Sequence, residues 1–290
     1  MPLTQSKHPI QPLSDTSLFN YDQQFGLECG DTLHKLEIVY TTHGKLNASG
    51  DNVIWVFHGL TANANPLDWW GELIGPQKWL DTEQYYVVCA NILGSCYGTT
   101  GPASINPITG KAYGINFPHI TIRDMVKAHQ LVQQHLGIEK IHLGIGGSLG
   151  GQQLLEWAVT DTHRFEYICP IATNARHSAW GIAFNETQRM ALEASNFNGQ
   201  GLEVARAVAM LSYRHQNTYR KTQTDFDDKI DDFKASSYQR YQGQKLNKRF
   251  DPFAYYYLSK AMDSHNIGRN RKSVRHALRS IKAEALCIGL

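Results

Sequence analysis

Charge of either sign is nearly balanced in this chain: the formal net charge is +2 over 290 residues. That leaves no electrostatic footprint for nucleic acid or an anionic membrane surface, and neither is expected as a partner. No apolar stretch approaches the length of a membrane span. The opening MPLTQSKHPIQPLSD has no apolar core and does not read as a secretion signal. Cysteine is sparse and odd in number, five residues at Cys29, Cys89, Cys96, Cys169 and Cys287. Their scatter gives no disulfide framework and no metal-ligand spacing, so no metal is expected. Cys89, Cys169 and Cys287 lie inside apolar runs and read as buried small hydrophobes. Such usage fits the reducing cytoplasm. The late basic residues Arg269, Arg271, Lys272, Arg275 and Arg279 are interleaved with polar residues at helical spacing and read as a solvated helix face. No internal repeat or low-complexity tract is evident. What remains is a chain long enough for one large α/β domain with an insertion.

What is present is organised around one stretch, Ile141-His142-Leu143-Gly144-Ile145-Gly146-Gly147-Ser148-Leu149-Gly150-Gly151. An apolar run enters a cluster of glycines, and a helix-like segment from Gln152 to Val159 follows. Gly146-x-Ser148-x-Gly150 is the pattern of a nucleophile elbow, a strand-to-helix turn so tight that the serine is strained and its hydroxyl stands above the sheet edge. Glycine is needed on both sides because a side chain would collide with neighbouring backbone. A phosphate loop would place Lys and then Ser or Thr after the last glycine, and Gln152-Gln153 stands there instead.

Around this stretch, apolar runs at Val53 to Phe57, Tyr85 to Asn91 and Tyr167 to Ala172 suit strands buried on both faces. Phe25 to Cys29 and Leu33 to Thr42 read as two strands joined by a Gly30-Asp31 turn, and residues 1–20 as irregular. A helix is expected over Thr121 to Leu136. Alternation of buried strands with helices predicts an α/β fold with a doubly wound, mostly parallel sheet. Gly94 to Pro118, rich in Gly and Pro but carrying aromatics, reads as a long ordered loop near the site. From about His177 the strand pattern stops. Ala179 to Ala194, Leu202 to Arg214, Asp225 to Gln242 and Asp251 to Met262 are helix-like, the last opening on an Asp-Pro start. The strand pattern resumes over Glu284 to Leu290. The expected organisation is a core of residues 1–176 and 271–290, with a helical lid inserted over 177–270.

A serine nucleophile needs two backbone N–H groups for its oxyanion. Leu149 follows the serine, and Leu60 lies in His58-Gly59-Leu60-Thr61, directly after the Val53 to Phe57 strand, where the second donor is expected. His58 reads as a structural histidine holding that loop. A base and an acid are also needed, in the order Ser, acid, His. The acid should follow the strand after the lid, and the histidine one strand later. The last of the thirteen histidines is His276, so both are expected beyond residue 290, with a final strand and helix. Asp263-Ser264-His265 is the one internal substitute, and neighbours on one segment seldom reach a distant serine.

These residues resemble homoserine O-acetyltransferase, an acyltransferase family of methionine biosynthesis on the α/β-hydrolase fold. The resemblance rests on Phe57-His58-Gly59-Leu60-Thr61, Asn91 to Pro102 (NILGSCYGTTGP), Phe117-Pro118 with Thr121 to Val126, and the elbow with Leu155-Glu156-Trp157-Ala158. In the lid it rests on Ser178-Ala179-Trp180, Phe184-Asn185, Met210 to Arg214 and Met262 to His265. It implies ping-pong chemistry: Ser148 takes an acetyl group from acetyl-CoA, and the hydroxyl of L-homoserine then takes it from the acyl-enzyme. Leu60 and Leu149 would hold the oxyanion, and Arg214 would contact the homoserine carboxylate, which a guanidinium can bind bidentately. The alternative for Arg214 is a salt bridge on a lid helix. The resemblance further implies a lid that excludes water, a homodimer formed through the lid helices, acetyl-CoA as co-substrate and no bound cofactor. Two departures stand out. The oxyanion loop reads His-Gly-Leu-Thr-Ala where His-Ala-Leu-Thr-Gly is expected, and the family's Asp, His and amine-binding acid have no counterpart in residues 1–290, so these residues alone are expected to be inactive. The competing expectations are a succinyl-CoA or serine-specific acyltransferase, a hydrolase of the same fold, and an inactive truncated chain acting only in dimerisation.

Overall fold

The computed structural model describes residues 16–226 and 228–289. In chain order its strands are β1 Ser17–Tyr21, the short pair β2 Phe25–Gly26 and β3 Thr32–Leu33, β4 Leu36–His43, β5 Val53–Phe57, the short pair β6 Ile74–Gly75 and β7 Leu80–Asp81, β8 Tyr86–Ala90, β9 Ile141–Gly147, β10 Phe165–Ile171 and β11 Glu284–Ala285. The helices are α1 Leu67–Trp70, α2 Ile122–His135, α3 Leu149–Thr160, α4 Ala179–Ala194, α5 Gly199–Tyr213, α6 Gln216–Gln223, α7 Lys234–Asn247, α8 Pro252–Asp263 and α9 Val274–Ser280. Seven strands form one sheet in the order β1-β4-β8-β5-β9-β10-β11. β1 and β4 run antiparallel to their neighbours, and the pairs from β8 to β11 are all parallel. This is the doubly wound, mostly parallel sheet that the alternation of strands and helices predicts.

Every residue of β5 is buried, because both faces of the sheet are covered. Its alternation divides the core. Val53, Trp55 and Phe57 pack on one face with Met125, Leu154 and Trp157, while Ile54 and Val56 pack on the other with Ile74, Leu80 and Cys89. α2 begins on a capping box: Thr121 Oγ1 accepts from Asp124 N, and Asp124 Oδ2 accepts from Thr121 N at 2.9 Å.

Between β10 and β11 the chain makes a long helical excursion, α4 to α8, and returns to where it left. Arg176 bridges Asn266, His177 N–H donates to His265 O at 3.0 Å, and Ile267 N–H donates to Ala175 O at 3.0 Å. α4 packs on α5 and α8, and α5 on α7. α4 spans the range its sequence predicts, and α8 starts with Asp251 Oδ1 accepting from Ala254 N–H at 2.8 Å and Pro252 in the first turn.

Several expectations are corrected. Residues 17–21 form edge strand β1 rather than irregular chain, while residues 1–15 lie outside the described residues. Phe25 to Cys29 contributes only the two-residue β2. The helix expected over Asp225 to Gln242 starts at Lys234, and the preceding turn is built by Asp225, which accepts from Lys234 N–H at 2.9 Å. α6 over Gln216–Gln223 has no counterpart in the sequence reading. The strand expected over Glu284 to Leu290 pairs over Glu284–Ala285 and by a bridge at Ile288; Leu290 is outside the described residues. Cys287 is exposed rather than buried. Arg269 and Arg271 are not a solvated face: Arg271 and Arg123 close on the buried carboxylate of Glu156 at 2.7 and 3.0 Å, and Arg269 pairs with Glu28 at 2.7 Å.

Candidate active site

Ser148 joins β9 to α3 with φ 55° and ψ −121°, the strained conformation the elbow requires. Its backbone is held from three sides. Ser148 N–H donates to Ile171 O at 2.9 Å, and its carbonyl accepts from Gln152 N–H at 3.1 Å and from Thr173 Oγ1 at 2.8 Å. A Cβ on Gly146 would stand 2.8 Å from Phe57 Cβ, and one on Gly150 would overlap the Phe57 carbonyl oxygen. The two glycines therefore let α3 start directly against the end of β5. The serine itself is exposed, while the side chain of Leu149 behind it is fully buried. Leu149 N–H lies in the first turn of α3, where backbone N–H groups have no intrahelical acceptor and favour negative charge.

The loop after β5 is fixed by His58, which is completely buried. Its Nε2 accepts from Ile92 N–H at 3.0 Å, so the ring proton sits on Nδ1, which donates to Gly59 O at 2.9 Å. Burial pushes the ring down to about 4, so it stays neutral. Gly59 O also accepts from Ala62 N–H at 3.2 Å. No peptide among the described residues is cis. With Gly59 C=O engaged on one side, the Leu60 N–H of the same peptide must point to the other. Gln153 links the two donor segments: its Nε2 donates to Leu149 O at 3.1 Å and lies 3.4 Å from His58 O. Its Oε1 accepts from His129 Nε2 at 2.8 Å, inside a box of Trp55, Phe57 and Trp157 rings. Gln153 thus ties the loop that carries Leu60 to the helix that begins at Leu149.

The remaining candidates have partners of their own. Among the described residues no side chain is hydrogen-bonded to Ser148 Oγ. Asp263 and His265 do not form a dyad: His265 is buried with Nε2 3.0 Å from Asn174 O, and Asp263 is paired with Arg189 at 2.5 Å. The ring nearest Asp263 is that of His177, at 3.8 Å, held down in pKa by burial against the pull of that carboxylate. His177 sits where the excursion leaves the core, with Gln152 Nε2 3.3 Å from its Nδ1. Arg214 ends α5, exposed, with its guanidinium 5.0 Å from the Tyr238 ring centroid. No carboxylate among the described residues forms a salt bridge with it, so its lid contact is the Tyr238 ring rather than an ion pair. Thr173 and Gln153 carry no sequence signal of their own: each matters through a partner brought near by the fold.

A strained serine at a helix N-terminus, beside a loop held by a buried neutral histidine, is an arrangement suited to acyl transfer. Comparison with known proteins agrees. A family profile for the alpha/beta hydrolase fold matches residues 52–262. Homoserine O-acetyltransferase of Cyclobacterium marinum is 50% identical over 281 residues, covering 94% of this chain and 80% of that protein. The enzyme of the same name from Trichormus variabilis is 45% identical over 289 residues, covering 95% and 80%. The crystal structure of homoserine O-acetyltransferase from Bacillus anthracis, 25% identical, superposes with a TM-score of 0.83 over 96% of this chain and 83% of that one. The chain belongs to the homoserine O-acetyltransferase family, on the α/β-hydrolase fold.

Proposed function

We propose that the chain transfers an acetyl group from acetyl-CoA to the hydroxyl of L-homoserine, in methionine biosynthesis, through an acyl-enzyme on Ser148. The bond from Ser148 Oγ to the acetyl carbon forms, the thioester C–S bond breaks, and CoA leaves as the thiol with the serine proton. Homoserine oxygen then attacks the same carbon, and its proton returns to Ser148 as the ester leaves. Each tetrahedral oxyanion sits between Leu60 N–H and Leu149 N–H. The observation that carries the reading is Ser148 itself: a non-glycine residue held at φ 55° at a helix N-terminus.

Arg214 is the proposed partner of the homoserine carboxylate; its unpaired guanidinium on the Tyr238 face supports that role. The helices of residues 177–270 are proposed as the lid that keeps water from the acyl-enzyme. Exposed Trp180, Met190, Val204 and Leu211 on α4 and α5 support a homodimer through these helices, which mass measurement in solution tests. No helix among the described residues is long and apolar enough to cross a membrane. The similarity to a biosynthetic enzyme family supports a cytoplasmic location. Acetyl-CoA enters as co-substrate, with no bound cofactor.

The deciding experiment is intact-mass spectrometry after mixing the native protein with acetyl-CoA alone. One acetyl increment on the peptide holding Ser148, discharged by L-homoserine and missing in Ser148→Ala, is the expected result. Free CoA with acetate and no need of homoserine would make the protein a hydrolase instead. Faster acylation by succinyl-CoA, or discharge by serine, would change the donor or acceptor.

A further inference from the structure

The loop that carries Leu60 is tied down from two directions by the core. His58 fastens its start to Ile92, and Thr41 Oγ1 donates to Ala64 O at 2.5 Å near its end. A third tie comes from the helical excursion. Arg249 lies between α7 and α8, and its Nη1 donates to Thr61 O at 2.6 Å and to the Tyr97 hydroxyl at 2.6 Å. Thr61 is the next residue after Leu60, and Tyr97 belongs to the long Gly/Pro loop. One guanidinium nitrogen therefore joins three segments far apart in sequence. Its own segment is rigid. Phe250 is buried and packs edge-on against Tyr97 at 5.8 Å and Tyr255 at 6.3 Å, and Asp251 caps α8. The Tyr97 hydroxyl keeps its proton, since burial raises it to about 12, so its contact with Arg249 is a hydrogen bond rather than an ion pair.

We infer that Arg249 is a positioning residue for the reaction, clamping the oxyanion loop to the helical excursion so that the docked excursion steadies Leu60 N–H. This rests on the reading of Ser148 and Leu60 as nucleophile and oxyanion donor. The carbonyl carbon of Thr61 is a fixed point four bonds beyond the Leu60 Cα. Gly59 O is already held by His58 Nδ1 and Ala62 N–H, and holding the Thr61 carbonyl steadies the other side of Leu60 against movement away from the developing oxyanion. Neither Arg249 nor Tyr97 reaches the reacting atoms in this account. Losing the clamp should therefore weaken transition-state binding and leave ground-state binding of both substrates nearly intact.

The test compares the native protein with Arg249→Met, Arg249→Lys and Tyr97→Phe. We expect Arg249→Met to lower kcat about 10-fold, with KM for homoserine and acetyl-CoA within about 2-fold. Arg249→Lys, which can still donate to Thr61 O, recovers part of the loss. Tyr97→Phe, which leaves the Thr61 bond, loses less than Arg249→Met. Hydrogen exchange in Arg249→Met should rise over residues 59–65 while β5 stays protected. Unchanged kcat in a folded Arg249→Met protein overturns the clamp, as does a loss confined to KM or unchanged exchange over residues 59–65. Should Arg249→Met not fold, Arg249→Lys and Tyr97→Phe decide by the same readouts. Ser148→Ala, run alongside, separates the two levels: transfer surviving in that variant refutes the function, and the exchange measurement judges the clamp regardless.

Discussion

Ile92 N–H donates to Nε2 of His58 at 3.0 Å, and that one bond decides what the histidine beside the oxyanion loop can do. An Nε2 already occupied as an acceptor, on a ring fully out of solvent, has no lone pair to offer Ser148. His58 is a strut between the loop after β5 and the end of β8. Replacing it with Ala leaves a cavity and an orphaned Ile92 N–H, a loss of about 3 kcal/mol. At this chain length that is roughly 5 °C in melting temperature. Calorimetry of His58→Ala checks it; a melting point unchanged from the native protein would mean the loop does not depend on the strut.

The φ of 55° at Ser148 separates two ways of removing the nucleophile. Ala at this position keeps the Cβ and the strain, whereas Gly accepts the conformation freely. Both variants should lose the acyl-enzyme completely. Ser148→Gly should nevertheless be about 1 kcal/mol more stable than Ser148→Ala. Denaturant titration of the pair measures this, and the reverse order would show that the elbow is relaxed in solution.

Glycines on the two donor segments should behave oppositely. A Cβ at Gly150 meets the Phe57 carbonyl, a backbone atom that cannot swing away, so Gly150→Ala must push α3 off β5. We expect a loss of more than about 2 kcal/mol and of acylation together. A Cβ at Gly59 meets only Gly147 O, at an ordinary 3.7 Å, and its φ is not positive. Gly59→Ala should keep activity within about 3-fold and gain up to about 1 kcal/mol from the stiffer unfolded chain. A severe defect in Gly59→Ala would place something against that loop which the monomer does not show.

What could be read from the sequence was local. The elbow is legible because glycine, serine and glycine at fixed spacing meet a steric demand within five residues, and α8 because Asp251 and Pro252 act on the turn they begin. Val53–Phe57 is legible because an apolar run bounded by turns suits a strand covered on both faces. The turn before α7 was misread because polar residues fit an exposed helix as well as a loop; the outcome was set by Asp225 reaching Lys234 N–H, nine residues on. Arg269 and Arg271 looked like solvated charges because the carboxylates that hold them, Glu28 and Glu156, lie more than a hundred residues away. Arg249 is the extreme case. Its partners are 188 and 152 positions distant, and nothing near it in the chain announces them.

Three buried histidines give the folded protein a pH dependence whose sign can be worked out. Burial holds His58, His129 and His265 each at about 4 in the folded state, against an ordinary 6.5. Between those values the unfolded chain binds protons that the folded chain refuses, so stability rises with pH. The contribution is complete above about pH 6.5 and is lost as pH falls through about 4, at up to ~1.4 kcal/mol per pH unit for each histidine. Asp124 and Asp251, pushed up by burial from 3.8, act oppositely. His129 isolates one share of the effect. It donates to Gln153 Oε1, and its Nδ1 is buried without a partner. His129→Phe keeps an aromatic ring among Trp55, Phe57 and Trp157 but strands the Gln153 oxygen, which should cost about 1–2 kcal/mol at pH 7. It also removes one titrating group, so between pH 6.5 and 5 its stability should fall less steeply than that of the native protein. Urea unfolding at a series of pH values measures both slopes. Parallel slopes would mean that His129 takes up its proton in the folded protein at the ordinary pH, and that its aromatic box is open to water.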